Sequence, residues 1–365
     1  MEFVCKTSVM KDMIAKAKKG ASNNKMIPLT GFIHISLNSN VLKMTTTDSI
    51  NYLTIIEDKV EGENFDVVVK ADLFSSIVSK TSSENIKLKF DGASLTFTGN
   101  GTYKIDLPLD ENGEPITYPN FRVDFGDNCR KGTIKTSVIK NVILSNKPSL
   151  AVTMDAPHLT GYYCTDDCVI SADSFSICIN KVPTFNETVL VSPTVFELLN
   201  MCSCDDIEFS ITGDKILFKT PKLELYGTLM PDVDDYPVEP IRNYETFEFP
   251  SNCVLPKTAL INVIDRLSLF IGDNDINGIY LTFTTDGVKI ECDKSKAIET
   301  IPYQGSENFK PFTCFAEVDA LKKQISARTG EVVHFYYGFD KAIKILDGNV
   351  TQIVALLEDT RVKEQ

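Results

Sequence analysis

The 365-residue sequence has no uninterrupted apolar run long enough to cross a membrane, and its start lacks the charged-then-apolar layout of a secretory signal. We therefore expect a cytoplasmic protein with no membrane partner. Histidine is scarce, and none of the three has a partner at the spacing of a metal site or a triad. The chain also lacks a Gly-x-x-x-x-Gly-Lys loop and a Gly-x-Gly-x-x-Gly turn after a strand. The sequence thus predicts no metal, no cofactor and no enzymatic activity.

Disulfide bonds are also not expected. Ten cysteines are spread from Cys5 to Cys314 in a long chain without an export signal, which indicates reduced thiols buried as small hydrophobic residues. The pairs Cys164-x-x-x-Cys168 and Cys202-Ser-Cys204 could each supply half of a zinc site. Neither has Cys-x-x-Cys spacing, however, and no matching second pair follows, so the signal for zinc is weak.

Basic residues are outnumbered, 37 against 50 acidic ones, and the formal net charge is −13. A protein that binds nucleic acid over its whole surface needs an excess of Lys and Arg to neutralise phosphates. The excess of acidic residues therefore argues against a nucleic-acid-binding protein of this kind. A local basic surface remains possible. With 43% hydrophobic residues, the chain can give two or three domains a core each.

One stretch occurs three times, as Lys-Thr-Ser-Val-Met-Lys-Asp-Met-Ile at 6–14 and in related form at 135–143 and 257–264. Repetition at so long an interval means that whole domains have been copied. Each copy opens a helix with one apolar face, and hairpin, strand and second-helix signals follow in the same order. We predict an α+β fold of three repeated domains, 1–125, 126–246 and 247–365, each with two helices packed on antiparallel sheets.

An aspartate recurs at the same place in each copy, as Asp48, Asp173 and Asp293. An active site needs unlike groups that converge on one substrate, whereas these residues occupy equivalent places in three domains. We therefore predict that they bind turn or strand-end amides. An enzyme that uses Asp173 and His158 in a cleft between domains stays as an alternative, although no constellation of residues supports it.

Lysines recur on the outer face of the repeated helix. Lys140 and Lys147 hold the places in the second copy that Lys11 and Lys18 hold in the first. A solvated helix face is the ordinary explanation for such residues. In a chain of net negative charge, however, cations kept at corresponding positions indicate a focused positive surface. In the third copy the basic residues shift to Arg266, Lys322, Lys323 and Arg328.

The order of these motifs resembles the bacterial DNA sliding clamp family, the beta subunit of DNA polymerase III, and suggests a divergent or phage-encoded member. The matching phrases lie at 27–31, 118–121, 159–161, 229–240 and 351–357 and at Asp173. The resemblance covers essentially the entire chain. It implies a head-to-tail homodimer in which six domains close a ring around double-stranded DNA, with helices lining the hole. It also implies a processivity factor that slides without sequence specificity, tethers a replicative DNA polymerase and is placed on DNA by a clamp loader.

The resemblance also implies three sets of functional residues. The expected contacts to DNA are Lys11, Lys18, Lys25, Lys140 and Lys147. The walls of a groove that binds a short hydrophobic peptide of replication proteins would be Leu159, Ala172, Ser174, Phe175, Ser176, Ile177, Val238, Ile353, Ala355 and Leu357. The dimer interface would set Phe270 and Ile271 against a first-domain edge strand near Tyr103 and Ile105.

The sequence departs from the family pattern at the groove. Residues 173–177, Asp-Ser-Phe-Ser-Ile, replace Asp-Gly-His-Arg-Leu, and residues 355–358, Ala-Leu-Leu-Glu, replace Met-Pro-Met-Arg. Asp234 stands where a proline is usual, and a tail at 359–365 extends past the usual end. The peptide preference is therefore open. A structural or scaffolding protein of repeated β-rich domains is the main alternative, but it would not need cations on matching helices.

Overall fold

A computed structural model describes residues 1–110, 112–119, 124–126, 128–272, 275–292, 297–305 and 310–359. The α-helices in these ranges are α1 (Thr7–Ala17), α2 (Ala71–Lys80), α3 (Thr136–Asn146), α4 (Pro193–Leu199), α5 (Val238–Thr246), α6 (Lys257–Ser268) and α7 (Val318–Ser326). None of them is long and apolar enough to cross a membrane. Short 3-10 helices cover Lys18–Gly20, Pro28–Gly31, Lys147–Ser149, Pro157–Thr160 and Val233–Asp235.

The strands of the first half are β1 (Glu2–Lys6), β2 (Phe32–Asn38), β3 (Val41–Thr47), β4 (Tyr52–Asp58), β5 (Phe65–Lys70), β6 (Asn85–Phe90), β7 (Ser94–Thr98), β8 (Thr102–Asp106), β9 (Arg130–Lys135), β10 (Tyr162–Cys164), β11 (Val169–Ala172) and β12 (Ser176–Asn180). Those of the second half are β13 (Val189–Val191), β14 (Asp206–Thr212), β15 (Lys215–Thr220), β16 (Leu223–Thr228), β17 (Ser251–Pro256), β18 (Gly278–Phe283), β19 (Gly287–Cys292), β20 (Ile298–Pro302), β21 (Gln304–Gly305), β22 (Phe312–Glu317), β23 (Val332–Phe339), β24 (Ala342–Asp347) and β25 (Val350–Leu357). All strand pairs are antiparallel, which keeps hairpin connections short.

Helix α1 shows why the repeated stretch folds as it does. Met10, Met13 and Ile14 recur at helical spacing and are buried on one face. The helix tightens into the 3-10 turn at Lys18–Gly20, where the backbone passes close to the sheet. A side chain at Gly20 would lie 2.6 Å from the Thr46 Oγ1 atom, so this close approach requires glycine.

The strand-then-helix unit occurs three times, as β1–α1, β9–α3 and β17–α6, and a second helix follows each, as α2, α4 and α7. This order confirms the prediction of an α+β fold of repeated helices on antiparallel sheets. Pro28 and Pro157 each open a 3-10 turn, so β2 and β10 begin only at Phe32 and Tyr162.

Contacts divide the chain into two compact units. The first is Met1–Ser137 with Thr194–Leu229, and the second is Val138–Pro193 with Met230–Gln365. The first unit holds a sheet of order β1-β6-β7-β8 and another of order β5-β2-β3-β4-β16-β15-β14-β9. The second unit holds a sheet whose main path is β13-β10-β11-β12-β25-β22-β18-β19-β20, with β24, β23, β17 and β21 branching from β25.

These units do not follow the sequence repeats because strand pairing joins neighbouring repeats. In the first unit β4 pairs with β16, so Leu53 lies opposite Leu225. In the second unit β12 pairs with β25, so Ile177 lies opposite Ile353. A sheet that continues from one repeat into the next binds parts of both into one unit. The domain limits at residues 125 and 246 stay predictions.

The cysteines behave as small core residues. All ten are free thiols, and all but Cys129 and Cys204 are buried. Burial raises the pKa of Cys5 to about 11 and that of Cys178 to about 12, so these thiols stay protonated and unreactive at neutral pH. Within the described ranges, no group of three or more His, Cys, Asp or Glu side chains is arranged to hold a metal ion.

Candidate functional site

The recurring aspartates hold turns. Asp48 Oδ1 accepts hydrogen bonds from the backbone amides of Ile50 (2.9 Å) and Asn51 (2.6 Å). Asp173 Oδ1 does the same for Phe175 (2.8 Å) and for Ser176 (2.7 Å). The prediction of a structural role is confirmed for these two residues. Asp293 lies outside the described residues, as do Asn120, Phe121 and residues 360–365.

Three strands of the second unit bring half of the ten predicted groove residues to one sheet face. Ala172 of β11 lies opposite Ile177 of β12, and Ile177 lies opposite Ile353 of β25. Directly opposed residues of antiparallel strands share a face, and every second residue along a strand returns to it. Ala355 and Leu357 therefore lie on this face as well.

The segment that leads into α5 packs over this face. Tyr236 and Ile241 join a buried cluster with Ala172, and the partly buried Leu159 and Val238 pack against it. At the β11–β12 turn Phe175 is 44% exposed, and its carbonyl accepts a hydrogen bond from the Ala355 amide (2.8 Å). The result is a partly exposed apolar surface above a buried floor. We call it the apolar patch, formed by Leu159, Phe175, Ile177, Val238, Ala355 and Leu357 over Ala172 and Ile353.

Two predicted groove residues do not join the apolar patch. Ser174 is exposed at the turn, and Ser176 is buried. Strand alternation forces the adjacent residues Ser176 and Ile177 to opposite faces, so the Ser176 side chain cannot line the groove. Its hydroxyl instead accepts a hydrogen bond from Gln324 Nε2 of α7 (3.0 Å) and lies 3.1 Å from Ser149 Oγ.

Gln324 therefore ties α7 to the back of a groove strand, since its Nε2 also donates to Ser149 Oγ (2.8 Å). Gln324→Met keeps the side-chain length but removes both hydrogen bonds from a fully buried site. We expect the free energy of unfolding to fall by about 1–3 kcal/mol because buried polar groups lose their partners. Chemical denaturation measures this loss. Lys323→Met, at the exposed neighbouring position, is the matched control, and equal midpoints for the two variants would contradict the prediction.

The cations of the first unit lie on and after α1. Lys25 is exposed, Lys11 is partly buried, and Lys18 forms an ion pair with Asp72 of α2 at 2.9 Å. This pair lowers the pKa of Asp72, so the Lys18 charge is partly compensated within the chain. Lys11 and Lys25 have no ion pair with other described residues and are the cations best able to meet a phosphate.

In the second unit, Lys140 is exposed on α3 and Lys147 is exposed in the turn after it. The third-copy cations differ from the prediction. Arg266 forms a bidentate pair with Glu299 (2.8 and 2.6 Å), and Lys322 pairs with Asp265. Arg328 lies beyond the end of α7 and is 3% exposed, and burial lowers its pKa. The expectation that Arg328 adds to a basic helix face is wrong.

The predicted interface residues have different surroundings. Phe270, just past the end of α6, is 52% exposed and its neighbour Leu269 is 82% exposed, whereas Ile271 is partly buried against the core. In the first unit, β8 is an edge strand of the four-stranded sheet, and its Tyr103 is 45% exposed. Ile105 is buried, so its side chain belongs to the core and only its backbone lies at the edge.

A cavity of about 360 Å³ was not anticipated from the sequence. It lies on the face of the eight-stranded sheet opposite α1, where Lys43 alternates with the buried Met44, and Tyr52, Tyr226 and Glu224 share its lining. His34 binds Asp66 there (3.0 Å) and stacks on the Tyr118 ring at 5.4 Å. None of the residues predicted to be functional lines this cavity.

Known proteins resemble the chain in part by sequence and throughout by fold. Residues 1–117 match the family model described as DNA polymerase III beta subunit, N-terminal domain. No curated protein sequence matches the chain. Among solved structures, the DNA polymerase sliding clamp from Bacillus subtilis is 16% identical, with a TM-score of 0.82 over 98% of this chain and 99% of that one.

Two further structures agree. DNA polymerase III subunit beta from Borrelia burgdorferi, solved in complex with a natural product, is 18% identical with a TM-score of 0.84, over 98% of this chain and 99% of that one. The beta subunit from Streptococcus pyogenes is 15% identical with a TM-score of 0.84, over 98% and 100%. The predicted resemblance is thus confirmed: residues 1–117 match the model of the DNA polymerase III beta subunit N-terminal domain, and the chain has the fold of the bacterial sliding clamps.

Proposed function

We propose that this protein is a sliding clamp, a processivity factor that encircles double-stranded DNA as a homodimeric ring and tethers a replicative DNA polymerase. The apolar patch is the main support. It forms at the place where the resemblance puts a partner-binding groove, within a fold that matches clamp structures over nearly the whole chain. The role requires no chemistry on a substrate, and it belongs to the cytoplasm, where DNA, polymerase and clamp loader meet.

DNA would be held by sparse contacts to phosphates. Lys11, Lys25, Lys140 and Lys147 are cations on or just after the first helices of two repeats. Phosphate contacts carry no sequence information, so they allow movement along the duplex. A closed ring needs no tight binding, because the DNA cannot leave sideways. The acidic remainder of the chain would disfavour DNA on other surfaces.

Ring closure would use unlike surfaces of two copies. The apolar side chains Leu269 and Phe270 project after α6, and β8 offers an unpaired sheet edge with Tyr103 exposed. A head-to-tail contact between two different surfaces closes a ring when its rotation returns to the start. A contact at this point would remove two adjacent exposed apolar side chains from water. The three domains 1–125, 126–246 and 247–365 of each copy would then give six around the ring.

The decisive experiment compares closed circular DNA with the same DNA after linearisation. Once a clamp loader has placed the protein on circles, we expect it to stay bound through gel filtration and to be released when one cut opens the circle. A ring slides off a free end, whereas a protein that binds by contacts alone does not distinguish the two forms. Equal retention on both would contradict encirclement. A single-chain mass by light scattering would instead favour a scaffold without a ring.

A further inference from the structure

The apolar patch is bordered by acidic side chains on the segment that covers it. Between residues 232 and 239, Val233, Tyr236 and Val238 turn toward the buried cluster. The residues between them point outward and are exposed. We call this set the acidic rim: Asp232, Asp234, Asp235 and Glu239.

The acidic rim is not neutralised by neighbouring cations. No ion pair involving its four members occurs among the described residues, whereas Arg242, one turn further along α5, is fully engaged. Its Nη1 binds Glu245 at 2.7 Å and its Nη2 donates to Cys168 Sγ at 2.9 Å. Burial alone would lower the pKa of Arg242, but the hydrogen bond to Glu245 keeps it raised. Arg242 therefore stays charged and is held by Glu245 of its own helix and by Cys168.

Lysines near the apolar patch are also directed elsewhere. Lys344 lies opposite Ile353 on the patch face, but its Nζ donates to the carbonyls of Glu245 (3.2 Å) and Phe247 (2.8 Å) at the end of α5. Lys181 pairs with Glu245 at 2.9 Å. Lys341 lies opposite Leu356, whose amide donates to its carbonyl at 2.9 Å. Since Ala342 is paired with Ala355, alternation sets Lys341 on the sheet face that Leu356 shares, away from Leu357. An acidic ligand on the apolar patch would meet the uncompensated charge of the acidic rim.

We propose that the apolar patch takes a peptide whose apolar anchor residues are flanked by lysine or arginine, and that the acidic rim rejects acidic flanks. This inference rests on the proposed function, because it names the partner of the same groove. Apolar contact supplies the affinity, while complementary charge selects among peptides of equal apolarity. Exposed charge pairs are individually weak, so two or three of them together should separate matched peptides by about tenfold at low salt.

The test uses two peptides with one apolar core, flanked on both sides either by lysine or by glutamate, and the full chain as the binding protein. We expect the lysine peptide to bind about tenfold more tightly by fluorescence anisotropy, with a preference that shrinks as salt is added. Asp234→Asn with Asp235→Asn should weaken the preference severalfold. Glu61→Gln with Glu84→Gln in the first unit removes the same charge from other exposed sites and should leave it unchanged.

A second pair of substitutions separates this inference from the proposed groove. Leu159→Ser with Phe175→Ser removes two members of the apolar patch and keeps the acidic rim. One outcome keeps the groove but contradicts the charge preference. In that outcome the variant abolishes binding, while the original chain binds the two peptides equally or binds the glutamate peptide more tightly. If neither peptide binds, or the variant binds as well as the original chain, the groove itself is wrong and the inference falls with it.

The segment 358–365 of the chain itself contains two cations, Arg361 and Lys363, together with three acidic residues. If that segment is the true occupant, Arg361→Ser with Lys363→Ser will raise the affinity for the lysine peptide. That increase would assign the acidic rim to the chain's own end and overturn the proposal of a separate partner. Unchanged affinity supports a partner peptide.

Discussion

Replacing Leu269 and Phe270 by aspartate is expected to turn the proposed dimer into a monomer. A ring of two chains has two identical contacts. Each contact would bury one Leu269 and one Phe270 side chain, four side chains in total. Full burial of one such side chain is worth about 1.5–3 kcal/mol, so losing four of them costs on the order of 6 kcal/mol or more. The dissociation constant should rise by about four orders of magnitude. Sedimentation at several protein concentrations measures the change.

The fold itself should survive this double substitution, because Leu269 is largely exposed and Phe270 about half exposed in the single chain. Val152→Asp is a suitable control, since Val152 is 95% exposed and has no predicted role in closure. It should leave the mass unchanged. A double variant that still sediments as a dimer would remove these two residues from the interface and leave β8 without its proposed partner.

Reversing the charge of Lys11 and Lys140 together is the second change with a large expected effect. A ring of two chains would lose four phosphate contacts and gain four repulsive charges. Each phosphate contact contributes about 0.9 to the slope of log affinity against log salt, so the slope should shrink by about 3 to 4. Loading onto circular DNA should fall correspondingly. Binding of a peptide to the apolar patch should not change, because that patch contains neither lysine.

The matched control is Lys43→Glu with Lys219→Glu, which makes the same charge change. Lys43 alternates with the buried Met44, and Lys219 with the buried Phe218, so both lie on the sheet face away from α1. We expect DNA retention close to that of the unchanged chain. If the control variant lost DNA to the same extent, net charge and not the helix face would govern binding.

Much of the fold was predictable because the same signals recur. The apolar spacing of Met10, Met13 and Ile14 predicted the first helix, and the same spacing in the two later repeats predicted α3 and α6. Helix α5 was missed, because Pro240 and the surrounding polar residues resemble a linker. A proline in the first turn is compatible with a helix, since those amides have no helical partner, and Ile241 supplies the buried contact.

The site was predicted less completely than the fold. Ile177 and Ile353 come together because β12 pairs with β25, whereas Val238 reaches the same site from helix α5. Ser176 was misplaced because aligning a motif does not reveal which face a strand residue takes. Ion pairs such as Lys18 with Asp72 join residues far apart in the chain, and the sequence alone gives no sign of them.

The strand pairing between repeats has a consequence for how the chain can be divided. A fragment ending near residue 125 would keep β4 but lose β16, so Leu53 and its neighbours would sit on an open, largely apolar strand edge. Unpaired edges of this kind recruit strands from other molecules. We therefore expect single repeats made alone to aggregate. The boundaries of the three sequence repeats are therefore not boundaries at which the chain can be divided into stable parts.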